Sequence, residues 1–191
     1  NLPVLSGDIV PPWIENLVPY LGLQEKRDGK KLRDYLDSDG STVGDPALLA
    51  WCGDAVQTPL ALTLPEEPLP ANPFYALNWS SWGVPAPAGM VPIGAVGTKK
   101  RFDSKGRLVG GHVWFTVGHD ATHWHALAGN TNNSICIALI PKGALNGTLR
   151  MPRTYPVPTK GLAPTTIDVT IKLIEGIAHV QLAAVANASE A

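Results

Sequence analysis

The chain is short of charge, of cysteine and of long apolar runs, and each shortage excludes something. Charged residues fill 16% of the 191 positions, with 15 Lys and Arg against 16 Asp and Glu, for a formal net charge of -1. That balance excludes the concentrated basic field of a nucleic-acid-binding surface. The one tight basic run, Lys99, Lys100 and Arg101, precedes Asp103, Ser104 and Gly106 and reads as part of a solvated loop. No stretch of ~18 uncharged apolar residues occurs, so no membrane-spanning helix is expected. Residues 1–11 read as a lead segment without the basic start and apolar run of a secretion signal. With only 2 cysteines, Cys52 and Cys136, a disulfide-stapled scaffold is excluded and reduced thiols are the default. Hydrophobic residues nevertheless make up 45% of the chain, ample for a true core.

The first half carries helical signals and the second half strand signals. Trp13, Ile14, Leu17, Val18 and Leu21 recur at helical spacing behind Pro11 and Pro12, with Gly22 as the stop. A second helix is expected over residues 30–37. Asp45 and Pro46 form an N-cap and first-turn pair. They predict a helix through Leu48, Leu49, Trp51, Cys52, Ala55 and Val56 that Pro59 ends or kinks. Aromatic residues suggest a short helix over 72–82. Runs at 91–96, 112–117, 124–128 and 135–140, separated by Gly, Asp and Asn, fit an antiparallel sheet with tight turns. Residues 166–174 and 177–185 read as a hairpin about Glu175 and Gly176, set off by a Pro-rich linker. The expectation is one α+β domain over 12–152, helices packed on an antiparallel sheet of about five or six strands, with 153–191 as linker and appendage.

Three places carry candidate chemistry. Cys52 lies on a helix, whose positive end favours thiolate near its start; the plainer reading is a small buried hydrophobe. His112 opens an apolar strand after Gly110 and Gly111, where the glycines leave room for an imidazole to face a helix end; otherwise it is a satisfied strand-edge histidine. Asn130 follows Gly129 at the end of the next strand, where an amide oxygen can accept the second ring proton of His112, or where a polar turn simply falls. Cys136 alternates with Ile135 and Ile137 as a packing residue.

The order of these features resembles the papain-like peptidoglycan hydrolases, the NlpC and CHAP-type amidase group, and within it the phage-lysin-like branch. Leu21, Gly22 and Glu25 match a Leu-Gly-x-x-Glu pattern, and Trp51 with Cys52 matches a Trp-Cys pair after an acidic segment. Residues 78–83 end in Trp-Gly, 111–113 are a Gly-His-Val strand start, and Gly129 with Asn130 is a Gly-Asn strand end. The likeness spans about residues 12–152. It implies a papain-like fold with Cys52 as nucleophile, His112 as base and Asn130 as the orienting third member, and no cofactor. The implied partner is the stem peptide of bacterial peptidoglycan, cut at an amide bond by a monomer acting in the periplasm or outside the cell. Two departures stand out: Gly53 and Asp54 follow the cysteine, where a carboxylate is positioned to raise the thiol pKa, and Thr131 replaces a common Gln.

Two other readings compete. His119, His123 and His125 suggest a zinc-dependent wall amidase or peptidase, although no His-Glu-x-x-His helix is present. Trp79, Trp82, Trp114 and Trp124 suggest a non-catalytic wall-binding module that stacks on sugars.

Overall fold

A computed structural model describes residues 10–189, so most of the lead segment lies outside the described residues. Proline chemistry starts the first helix as expected: Pro11 is its N-cap and Pro12 its first residue, in α1 (Pro12–Leu17). Pro19 supplies no N–H to continue the ladder, and the chain tightens into a 3₁₀ turn at Val18–Tyr20. Trp13, Ile14, Leu17 and Val18 are all fully buried. The second helix, α2 (Gly29–Leu36), turns Leu32, Tyr35 and Leu36 inward.

The next helix, α3, spans Cys52–Thr63, not the longer range expected. Asp45 and Pro46 make only a turn, in which the Asp45 carboxylate accepts from the Ala47 N–H at 3.0 Å. Leu48 and Leu49 are exposed there instead of lining a helical stripe. Pro59 lies inside α3 without ending it. The aromatic segment forms a 3₁₀ helix, Ala76–Ser81.

Six strands follow: β1 (Val84–Pro85), β2 (Ala95–Phe102), β3 (Leu108–His119), β4 (His123–Thr131), β5 (Ser134–Pro141) and β6 (Arg150–Met151). They make one sheet in the order β1-β6-β2-β3-β4-β5, with every neighbouring pair antiparallel. The basic run read as loop is the end of β2, and only the tip of the β2–β3 hairpin turns. There Asp103 accepts from the backbone N–H groups of Lys105 and Arg107.

The architecture is therefore α+β, with the helices on one face of an antiparallel sheet. Val113, Phe115, Val117 and Leu127 join α1, α2 and α3 in the main core, while Trp114, Ala126, Ala128 and Ile140 form a smaller cluster on the other face.

The expected C-terminal hairpin is a helix, α4 (Ile167–Ser189). Ile167, Thr170, Ile171, Ile174, Ile177 and Ala178 are among its buried or half-buried positions, a helical spacing that the β-branched residues and Gly176 disguised. Nor does it hang free. Thr170 Oγ1 lies 2.7 Å from Nδ1 of the buried His125, the Thr165 N–H donates to the His119 carbonyl, and Ile174 is buried in the main core.

Candidate active site

Cys52 is the first residue of α3, with Trp51 as the N-cap. The opening N–H groups of a helix have no intrahelical acceptors, and those of Cys52 and Gly53 lie against the sulfur. A third N–H comes from Val113 of β3. On this side the last β3–β4 pair is Phe115 with Leu127, so the seam between the strands is open at Val113. All three donors favour thiolate. Burial opposes them and prevails, holding the thiol above its ordinary value.

The helix start is fixed from two directions. The buried Trp51 indole donates to Glu25 Oε2 at 3.1 Å, which ties the Leu-Gly-x-x-Glu segment directly to the residue before the thiol. A Cβ on Gly129 would fall 2.4 Å from both the Trp51 ring and Ala55, so only glycine lets β4 approach. On the opposite flank a Cβ on Gly53 would fall 2.5 Å from the carbonyl oxygens of Pro73 and Phe74. That contact explains the glycine after the cysteine. Asp54 turns away from the sulfur and accepts from the Thr42 hydroxyl and the Val43 N–H, each at 2.9 Å. Burial raises its pKa to about 6. The elevated thiol therefore owes its position to burial and not to the neighbouring carboxylate.

His112 sits across from Lys99 in the β2–β3 register, half-buried. Its Nε2 lies 3.2 Å from Thr131 Oγ1. When Nε2–H donates to that hydroxyl, Nδ1 carries the lone pair of a general base. Burial first, then the charges of Lys99 and Arg101, lower its pKa from 6.5 to about 4. The imidazole is therefore neutral at neutral pH.

His112 and Asn130 line one cleft of about 330 Å³, together with Lys99, Arg101 and Thr131. Cys52 does not line it. The thiol packs on the helix side of β3 with Val113 and Phe115, whereas the His112 ring shares the face of Trp114, with centroids 6.4 Å apart. Among the described residues no hydrogen bond joins Cys52 to His112; the two stand on either side of Val113. The orienting contact expected from Asn130 comes from Thr131. Asn130 adopts φ 54, and its amide makes no bond to His112. Three asparagines with positive φ, Asn130, Asn132 and Asn133, bring the Thr131 hydroxyl into place, and the sequence offers only the polar run as a hint.

The competing constellations are engaged elsewhere. His119 Nε2 meets the Leu162 carbonyl at 2.8 Å, His123 Nδ1 meets Thr122 and His125 Nδ1 meets Thr170. Among the described residues no group of three or more His, Cys, Asp or Glu is arranged to hold a metal ion. Trp79, Trp82 and Trp114 are buried, and the first two donate to the carbonyls of Pro73 and Pro68, which removes them as a sugar-stacking platform. Cys136 is a free, partly buried thiol whose sulfur meets the Thr131 carbonyl at 3.4 Å. Comparison with protein-family models, with curated proteins and with solved structures found no match to this chain.

Proposed function

We propose that the protein is a papain-like cysteine hydrolase that cuts an amide bond in the stem peptides of bacterial peptidoglycan. One observation carries the reading. The thiol opens a helix, the backbone N–H groups of Cys52, Gly53 and Val113 favour its thiolate, and Val113 adjoins in sequence a neutral imidazole whose Nε2 meets Thr131.

The resting pair is a neutral thiol and a neutral imidazole. For catalysis the His112 side chain has to leave the Trp114 face and bring Nδ1 within hydrogen-bond reach of the thiol. As it removes the thiol proton, Sγ attacks the amide carbonyl carbon and the carbonyl π pair moves onto oxygen. Free N–H groups at the start of α3 receive that oxyanion. The imidazolium then protonates the leaving amine, the C–N bond breaks, and a thioester remains on Cys52. Water, deprotonated by His112, adds to the thioester; collapse releases the carboxylic acid and returns the thiol. Thr131 holds the resting ring, and Nδ1 serves both steps. Such an enzyme acts on the wall from the periplasm or the exterior.

Mass spectrometry of fragments released from purified peptidoglycan tests this reading. The wild-type protein should release peptide fragments whose masses name the bond, with or without a chelator, and Cys52→Ala should release none. Release that survives in Cys52→Ala overturns the assignment.

A further inference from the structure

We infer that Lys99 and Arg101 form an anion subsite beside His112 that takes a free carboxylate of the substrate next to the bond to be cut. The inference rests on the hydrolase reading for its substrate, and on the cleft itself for its chemistry.

Alternation along β2 places the two cations on the imidazole's side of the sheet. A Cβ on Gly97 would lie 2.3 Å from the Trp114 ring, so residues 97, 99 and 101 face the side that Trp114 and His112 share. Lys99 stands opposite His112 and Arg101 opposite Gly110, which has no side chain to cover the guanidinium. Ala126, Ala138, Leu139 and Ile140 supply the apolar part of the cleft's lining.

No carboxylate lines this cleft. The Lys and Arg ion pairs among the described residues are Arg27 with Asp28, Lys30 with Asp34, Arg33 with Asp45, and Arg107 with Asp103. Lys99 and Arg101 take part in none of them. Two like charges thus stand beside a half-buried histidine with no carboxylate among the residues that line the cleft, an arrangement that an entering anion would relieve. Both charges also disfavour the imidazolium, and a bound carboxylate would offset them when His112 takes up the thiol proton. Arg101 presents a planar fork suited to a carboxylate and Lys99 a point charge. The Asn130 amide lines the same wall and offers a donor and an acceptor to the adjoining peptide unit. The substrate class is a peptide with an unamidated acidic residue beside the scissile amide, as opposed to one whose carboxyl is masked as a carboxamide.

The probes are a synthetic stem tetrapeptide with free carboxylates and the same peptide with carboxamides. Calorimetry on Cys52→Ala measures binding without turnover, and cleavage by the protein with Cys52 intact is followed separately. The acid peptide should bind at least tenfold tighter than the amide, and the preference should shrink as salt rises. Lys99→Gln and Arg101→Gln should each weaken acid binding about fivefold and leave amide binding within about twofold. Lys100→Gln, on the opposite face of β2, should change neither. Equal binding of the two peptides, equal loss of both in the double variant, or no measurable binding of either overturns the subsite. Cleavage without an acid preference leaves the hydrolase standing and removes the subsite. An acid preference in binding without any Cys52-dependent cleavage does the reverse.

Discussion

A thiol kept neutral by burial and an imidazole kept neutral by burial and two cations make a resting state unlike a preformed thiolate–imidazolium pair. The consequence is visible in pH. Because the His112 pKa is lowered from 6.5 to about 4, the imidazole remains a base through the mildly acidic range. The acid limb of kcat/KM should fall near pH 4 and not near 6.5. Replacing Lys99 by Gln removes a charge that opposes protonation, so the limb should move upward; a pH–rate profile of both proteins checks the position and the direction. Thr131→Val should cut kcat by about tenfold, because the ring loses its holder. Asn130→Ala should act mainly on KM. The reverse pattern would return the orienting role to Asn130. Cys52 and His112 were legible as candidates because Cys and His have few uses in a strand–helix pattern of this kind. Thr131 was not: its role depends on three left-handed asparagine conformations that no local pattern specifies.

Among the elements, α3 shows how a strong local signal loses to packing. Asp45 and Pro46 have the chemistry of a helix start, yet the helix begins at Cys52, where Trp51 reaches Glu25 and Gly129 admits the indole. Those partners are distant in sequence, so their hold on the helix start is invisible there. The Gly53→Ala substitution tests how tightly the start is held. Ala is the better helix former by ~1 kcal/mol, but its Cβ must displace two backbone carbonyls that cannot rotate away. A net loss of about 1–3 kcal/mol in unfolding free energy is expected, with slower alkylation of Cys52 by iodoacetamide; a stabilised protein would show that the 73–74 segment yields. In α4 the misreading has the opposite origin. Its local composition of Ile, Val and Thr with a central Gly favours strands, and the helix is held by tertiary contacts such as Thr170 with His125. Thr170→Val strips the Nδ1 partner from a fully buried ring and should cost about 1–3 kcal/mol, read from urea midpoints.

For the whole molecule, the buried Asp54 and the half-buried His112 pull stability in opposite directions with pH, and both lie within two residues of the contacts that place the thiol. His112 has its pKa lowered from 6.5 to about 4. Between those values the unfolded chain binds its proton and the native state does not, so this group makes stability rise with pH across that window and fall as pH drops. Asp54 has its pKa raised from 3.8 to about 6, chiefly by burial and further by Asp39. Within that range the native state keeps a proton that the unfolded chain has lost, so Asp54 makes stability fall as pH rises. Each slope has an upper limit of about 1.4 kcal/mol per pH unit. In the wild-type protein the two largely offset one another between pH 4 and 6, which hides both. Single variants should expose them. Asp54→Asn removes the falling contribution, so its stability relative to wild type should climb as pH goes from 4 to 6. His112→Gln removes the rising one, so its stability relative to wild type should decline over the same interval. Urea denaturation of the three proteins at pH 4, 5, 6 and 7 measures the differences directly. Two variant curves that run parallel to wild type would mean that neither group is desolvated as the packing around α3 and β3 requires. A single parallel curve would identify which side of β3 water reaches.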